Sequence, residues 1–218
     1  MGSMRMEKPH SSVGADVLAS GIHDAKNRLF EAQTLLAQAE REQGICLPEA
    51  RLAITGAAGR LSRTLVAYRL MRDQQPIAVM PVPVVELVED AVLTVGSQLE
   101  RAGITLALDV RFPGEWPLDR TLGGDVLVNA LQNACRHAAA KVILAADVNA
   151  DGLSLTVNDD GPGYPDAAIA HPSEGQSGLG LFIAARIAAL HVRKGRQGGL
   201  TLANGGLLGG ALFRCVLP

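Results

Sequence analysis

Residues 125–139 read DVLVNALQNACRHAA, a stretch in which polar residues recur at helical spacing among apolar ones. The polar set lies at relative positions 0, 4, 7 and 8, and its members are Asn129, Asn133, Arg136 and His137. This spacing puts them on one face of a helix, while the apolar residues can pack on a sheet. An amide oxygen suits Mg²⁺ and an arginine suits phosphate. The stretch therefore predicts either a phosphate-binding groove or the polar outer face of a surface helix.

Upstream of this stretch, the pattern is that of two long helices. Apolar residues recur at alternating spacings of four and three within residues 12–43, which is typical of a helix packed as in a coiled coil. Gly44 ends this helix, and Pro48 opens a second one over residues 48–73. We expect an antiparallel helical hairpin. Because a lone hairpin cannot bury both apolar seams, we also expect it to dimerise into a four-helix bundle.

Beyond a boundary near residues 74–82 the pattern becomes a mixture of helices and strands. We predict helices over 84–101, 120–138 and 179–191, and strands over 105–110, near 116, and over 141–148, 153–158, 198–204 and 210–218. A loop rich in Gly, Pro and Ser follows residue 158 and runs to about residue 177. Hairpins rather than strict alternation indicate an α+β sandwich with helices on one face. The predicted organisation is a disordered or tag-derived N-terminus, a helical hairpin and a second domain over 1–11, 12–75 and 76–218.

Composition and charge indicate where the protein functions and which partners it lacks. The chain has 218 residues, a net charge of −2 and three widely separated cysteines. Without a basic block it lacks the positive surface that nucleic acid needs, so we expect no nucleic acid partner. The odd, scattered cysteines fit a reducing compartment and offer no zinc spacing. Because no apolar run approaches the roughly 20 residues of a membrane span, we expect no span in this chain and a cytoplasmic location.

Two glycine-rich loops follow the polar helix. In NDDGPGYP, Asp159 could accept a hydrogen bond from an exocyclic amine, and Gly161 and Gly163 would let the backbone approach a flat ring or a phosphate. In SGLGL, Gly178 and Gly180 precede a helix whose N-terminus favours anions. The second loop lacks the GK[ST] of a Walker A motif and the dinucleotide fingerprint. Taken alone, either loop could be a plain turn.

A fourth motif completes an ordered set. Residues 20–29 read SGIHDAKNRL and place a histidine, an aspartate and an asparagine on the first predicted helix. The order HDAKNRL, NALQNA, DDGPG and GLGL resembles the H, N, G1 and G2 boxes of the sensor histidine kinases of two-component signalling, over about residues 16–217. The resemblance implies a dimerisation and phosphotransfer hairpin joined to an ATP-binding domain of the histidine kinase and gyrase (Bergerat) type. It also implies ATP and Mg²⁺ as cofactors, a homodimer, and the receiver domain of a response regulator as partner.

The resemblance assigns roles on the first helix. It implies that His23 is the phosphoacceptor, whose neutral imidazole attacks the γ-phosphorus in line. Asp24 would hold or take the other ring proton. Asn27, one turn on, would orient a water or the aspartate of the partner, in an order associated in this family with dephosphorylation of the regulator.

The resemblance also assigns a nucleotide site. It implies that Asn133 is the Mg²⁺ ligand with Asn129 beside it, and that Arg136 and His137 contact phosphates. Asp159 would read adenine. The remaining cofactor-binding positions come from the two glycine motifs and are Gly161, Gly163, Gly178, Leu179, Gly180 and Leu181.

The sequence departs from the family in several places. Arg28 stands where many members have proline, and only about a dozen residues between Pro165 and Ser177 are available for the ATP lid, so we expect weak ATP retention. We expect the sensor domain to be missing from this sequence or to belong to a separate protein. The alternative function is a histidine phosphotransfer (phosphorelay) protein whose catalytic domain no longer uses ATP. A hydrolysing ATPase is disfavoured because Asn129 occupies the position of its glutamate base.

Three further histidines lie outside the motifs. We expect His10, His171 and His191 to be surface or loop residues.

Overall fold

The computed structural model describes residues 11–71, 77–171 and 178–218. Within these ranges the helices are α1 (Ser11–Gln43), α2 (Pro48–Met71), α3 (Val84–Ala102), α4 (Arg120–His137), α5 (Asp166–Ala170) and α6 (Leu179–Leu190). The strands are β1 (Met80–Pro83), β2 (Thr105–Val110), β3 (Glu115–Leu118), β4 (Lys141–Asn149), β5 (Gly152–Asp159), β6 (Val192–Arg193), β7 (Arg196–Gln197), β8 (Gly199–Asn204) and β9 (Ala211–Leu217). The chain divides into two compact units, Met1–Arg72 and Asp73–Pro218. None of the helices in the described ranges has the length and apolar character needed to cross a membrane.

The first unit contains a helical hairpin, as predicted. α1 and α2 pack on one another, and Gln33 Nε2 donates to Thr55 Oγ1 across the pair at 2.9 Å. At the connection, the largely buried carboxylate of Glu40 accepts from the backbone N–H of Leu47 at 2.8 Å and pairs with Arg51. These contacts hold the pKa of Glu40 below its usual range, the Leu47 bond contributing most. One carboxylate therefore fixes the turn between the two helices.

Glu40→Ala should loosen the hairpin, because it removes both the acceptor for Leu47 N–H and the partner of Arg51. We expect the melting temperature, followed by circular dichroism at 222 nm, to fall by a few degrees. Glu42→Ala is the matched control, since Glu42 accepts from Gln38 in an exposed pair within α1. Equal losses in the two variants would show that Glu40 has no special role at the turn.

The second unit is an α+β sandwich, which confirms the predicted fold class. Its main sheet has the strand order β2-β4-β5-β9-β8, with β2 and β4 parallel and the other neighbours antiparallel. The helix α4 packs against both α3 and α6. Of the strands in the main sheet, α4 contacts β5, while α6 contacts β8 and β9. The central strand β5, paired on both sides with β4 and β9, is buried along nearly its whole length.

Two small sheets supplement the main one. β1 pairs with β3, and β6 forms a short hairpin with β7. Trp116 in β3 donates from Nε1 to the carbonyl of Leu217 in β9 at 3.0 Å, which ties the β1–β3 pair to the main sheet. The strand predicted near residue 116 is β3. The strands β1, β6 and β7, and the helix α5 within the predicted loop, were not predicted, because each is only two to five residues long and carries little periodicity.

His191 was expected to be a surface or loop residue; it lies in the connection between α6 and β6, but it is not at the surface. The side chain is 3% exposed, its Nδ1 donates to the carbonyl of Ile187 at 2.8 Å, and its Nε2 accepts from the backbone N–H of Asp119 at 3.1 Å. A neutral imidazole can be buried when both ring nitrogens have partners. His171 is exposed, as expected, and His10 lies outside the described residues.

The carboxylate of Asp160 joins two segments of the second unit. Its Oδ1 accepts from the backbone N–H groups of Ala139, Ala140 and Lys141 at 2.9, 3.0 and 3.0 Å. These residues connect α4 to β4, whereas Asp160 begins the turn after β5. The backbone bonds hold the pKa of Asp160 below its ordinary value. The ionised carboxylate therefore fixes the turn after β5 against the end of α4.

The role of Asp160 predicts a pH-dependent loss of stability. Because the pKa is lower in the folded chain, the ionised form contributes stability above the unfolded value of 3.8, and this contribution is lost as the pH falls below it. We expect Asp160→Asn to melt below the wild type at pH 7, and the gap to close on acidification towards pH ~3. Asp151→Asn, on an exposed turn, is the control. A gap that stayed constant across the titration would contradict this role.

Candidate functional site

A cavity of about 260 Å³ lies between α4, the end of β5, α5 and the start of α6. Its lining residues are Asn133, His137, Asp159, Gly163, Tyr164, Pro165, Ala167, Ala168, Leu181 and Ala211. Half of these residues belong to the set expected from the sequence. Segments distant in the chain, from the predicted N, G1 and G2 boxes, thus meet around one concave space.

Asp159 forms the polar floor of this cavity. The residue is 4% exposed, and its Oδ1 accepts from the backbone N–H groups of Gly161 and Ala211 at 2.9 and 3.0 Å. Both bonds use the same oxygen, so Oδ2 takes neither of them. Because a buried carboxylate needs polar partners, these two amides fix its place. A fixed acceptor beside the apolar side chains of Ala168 and Leu181 suits a flat heterocycle with an amino group.

The glycines of the DDGPG turn are needed by the protein itself. A Cβ on Gly161 would lie 2.3 Å from the carbonyl oxygen of His137. Gly163 has φ of +87°, and a Cβ there would lie 2.5 Å from Oδ1 of Asn204. The turn must therefore pack closely against the end of α4 and the end of β8. This close packing within the chain requires glycine at both positions whether or not a ligand is bound, and no local sequence pattern indicated it.

Tyr164 is a cavity residue that was not predicted. Asn133 Nδ2 donates to the phenol oxygen of Tyr164 at 3.5 Å, which is longer than the roughly 2.7–3.2 Å usual for an N–H···O hydrogen bond. Burial raises the pKa of Tyr164 to about 12, with the charge of Asp159 adding to the rise and the Asn133 contact opposing it. The phenol is therefore neutral at physiological pH. The available signal was its place directly after the DDGPG motif, next to the assigned glycines.

The start of α6 meets α4 beside the cavity. A Cβ on Gly180 would lie 3.4 Å from Oδ1 of Asn129, so the two motifs are neighbours. Leu181 lines the cavity and is largely buried, whereas Leu179 is 39% exposed and Gly178 is an exposed N-cap with φ of +94°. The backbone N–H groups of a helix's first turn have no partners within the helix, which suits anionic groups.

Other predicted residues lie elsewhere. Arg136 is exposed, and its Nε donates to the carbonyl of Gln132 in its own helix. In the part of the chain that the structure describes, Arg136 is not among the residues that line the cavity. Asp24 and Asn27 are exposed on α1 of the first unit, while the side chain of His23 lies outside what the structure describes. Residues 172–177, part of the predicted lid, also lie outside the described residues.

The donor set of the cavity fits a magnesium ion carried by a ligand. In the described ranges, no three His, Cys, Asp or Glu residues group as a metal site. Mg²⁺ is commonly held by one or two protein oxygens together with substrate phosphates, rather than by a cage made only of protein groups. The amide oxygen of Asn133 meets this requirement.

Comparison with known families points to the same segment. Residues 119–218 match the family described as histidine kinase-, DNA gyrase B-, and HSP90-like ATPase, and this range includes every residue of the cavity lining. The chain is 27% identical over 146 residues to the virulence sensor histidine kinase PhoQ of Salmonella typhimurium, covering 62% of this chain and 28% of PhoQ. It is 28% identical over 192 residues to the sensor protein QseC of Escherichia coli O157:H7, covering 79% of this chain and 42% of QseC. The chain thus spans less than half the length of these relatives.

A solved structure supports the fold. The likeness to full-length ShkA in complex with AMPPNP has a TM-score of 0.68 at 22% identity, and it covers 94% of this chain and 46% of that one. The match of residues 119–218 to the histidine kinase-, DNA gyrase B-, and HSP90-like ATPase family model and the likeness to PhoQ and QseC confirm the resemblance to sensor histidine kinases.

Proposed function

We propose that the chain is a protein histidine kinase that transfers the γ-phosphoryl group of ATP to His23 and then to an aspartate of a response regulator receiver domain. The observation that carries this proposal is the anchored carboxylate of Asp159 at the base of a cavity within the family-matched segment. The proposal includes a division into a hairpin over residues 12–75, dimeric in solution, and an ATP-binding domain over residues 76–218.

The cavity of the second unit would bind the adenine base of ATP. At 260 Å³ the cavity is slightly smaller than the roughly 300–1,000 Å³ of typical ligand pockets, so it suits the adenine rather than the whole nucleotide. The adenine amino group would donate to Asp159, and the phosphates would extend towards Asn129, Asn133 and the first turn of α6. Bound Mg²⁺ would neutralise phosphate charge, with Asn133 as its protein ligand.

The choice of nucleophile follows from the residue types. Asn129, one turn before Asn133, carries an amide that cannot accept a proton from water, so hydrolysis lacks a general base at this position. A neutral imidazole needs no such activation. A ring nitrogen of His23 would bond to the γ-phosphorus as the bond to the β-phosphate oxygen breaks and ADP leaves. Asp24 would hold or take the proton on the other ring nitrogen.

We expect incubation with γ-labelled ATP and Mg²⁺ to label the protein, and the label to be acid-labile and alkali-stable. His23→Gln should remove it, whereas His171→Gln, which changes an exposed histidine of the second unit, should retain it. Asn133→Ala should also abolish labelling but still allow His23 to accept phosphoryl from a phosphorylated regulator. Label that persisted in His23→Gln would remove His23 from its role.

The phosphorelay alternative is favoured by the short segment between Pro165 and Ser177, which offers few contacts to a nucleotide. The same assay separates the two functions. A wild-type chain that takes no label from ATP, but takes phosphoryl from a regulator at His23, would be a relay protein. If the phosphorylated regulator loses its phosphate and His23 gains no label, the rate of that loss measures the phosphatase activity that the order of Asp24 and Asn27 implies.

Asp159→Asn should weaken ATP binding by roughly tenfold to a hundredfold, because it replaces one acceptor oxygen with a donor and removes a charge-assisted hydrogen bond. The remaining amide oxygen can still accept from Gly161 and Ala211, so the fold should survive. Titration of a fluorescent ATP analogue, with unlabelled ATP and GTP as competitors, measures the effect. Asp166→Asn on α5 is the exposed control. A variant that bound ATP like the wild type would refute the adenine-reading role.

A further inference from the structure

The backbone of Tyr164 is held independently of its side chain. Oδ1 of Asn204, at the end of β8, accepts from the backbone N–H of Tyr164 at 2.7 Å. Nδ2 of the same residue donates to the carbonyl of Tyr164 at 2.9 Å. One amide side chain thus grips both backbone groups, and Gly163 has no Cβ that would obstruct it. Asn204, at the end of a strand of the main sheet, therefore positions the backbone of Tyr164 beside the cavity, and the phenol hydroxyl is not needed for this placement.

The amide of Asn133 has two chemically different ends. Only its oxygen can bind a cation, while its nitrogen carries two hydrogens that need acceptors. The phenol oxygen of Tyr164 is 3.5 Å from that nitrogen, within the cavity that both residues line. When a cation takes the oxygen, the nitrogen faces the phenol. A phenylalanine would leave that N–H group without this acceptor in a partly buried place, and such groups are costly.

We propose that Tyr164 is a positioning residue for the divalent cation: its phenol oxygen accepts from Nδ2 of Asn133 and so presents the amide oxygen to Mg²⁺. This inference rests on the proposed function, since the cation arrives with the nucleotide. Tyr164 thus acts through Asn133 by its hydroxyl, while the residue as a whole lines the cavity.

The test is the binding of a fluorescent ATP analogue, titrated in EDTA and at increasing Mg²⁺ concentrations. In Tyr164→Phe we expect the Mg²⁺ concentration that gives half of the affinity gain to rise roughly tenfold, the scale of lost outer-shell contacts. Affinity in EDTA should change by less than about twofold, because the ring is retained. Tyr68→Phe removes a hydroxyl from α2 of the other unit and is the matched control. An unchanged Mg²⁺ dependence in Tyr164→Phe would overturn the proposal.

A double-mutant cycle shows whether the hydroxyl acts through Asn133. Adding Tyr164→Phe to Asn133→Ala should have no further effect on the Mg²⁺ dependence, whereas independent effects would add. Additive losses would therefore overturn the proposal. An equal loss in EDTA and in Mg²⁺ would do the same, since it would assign the hydroxyl to contact with the nucleotide.

The outcome remains decisive if Tyr164→Phe does not fold. In the wild-type chain with Mg²⁺ and nucleotide, nitrogen-15 spectra should show one of the two Asn133 amide protons exchanging more slowly with water than the other. Equal exchange of the two protons would overturn the proposal. A wild type that binds no nucleotide at all would instead refute the proposed function, and this inference would fall with it.

Discussion

Two consecutive carboxylates at the end of β5 hold the second unit together. Asp159 is the last residue of β5 and Asp160 begins the turn that follows, and their side chains reach different segments. Asp159 bonds to the amides of Gly161 and Ala211, and Asp160 bonds to amides that follow α4. A carboxylate deprived of such partners in a buried place would be strongly unfavourable. The turn after β5 therefore also forms the floor of the cavity.

Much of this architecture was readable from residue order alone. The long helices and most strands were predicted to within about two residues, because their apolar periodicity is long and because Gly44 and Pro48 mark the turn between the first two helices. The convergence of Asn133, His137 and Asp159 was predicted by a different route. Helical spacing placed the first two on one face, and only the resemblance to a family joined them to the third.

The remainder depends on contacts between distant residues. His191 accepts a hydrogen bond from the backbone of Asp119, which is 72 positions away, and no local sequence pattern predicts that partner. The place of Tyr164 depends on Asn204, 40 positions away. α5 has five residues, too few for a helix to be stable without tertiary contacts, so its pattern carries little signal. The sequence determines these features, but only through the assembled fold.

The bond between Trp116 and the carbonyl of Leu217 has a practical consequence. This is the chain's sole tryptophan, and it attaches to the end of β9 opposite Ala211, about 20 Å along the strand from the cavity. Its intrinsic emission thus comes from a single, structurally defined place, away from direct quenching by a bound base. A dye carried into the cavity would lie within reach of energy transfer from that indole, so the chain contains its own built-in donor for optical measurements of occupancy.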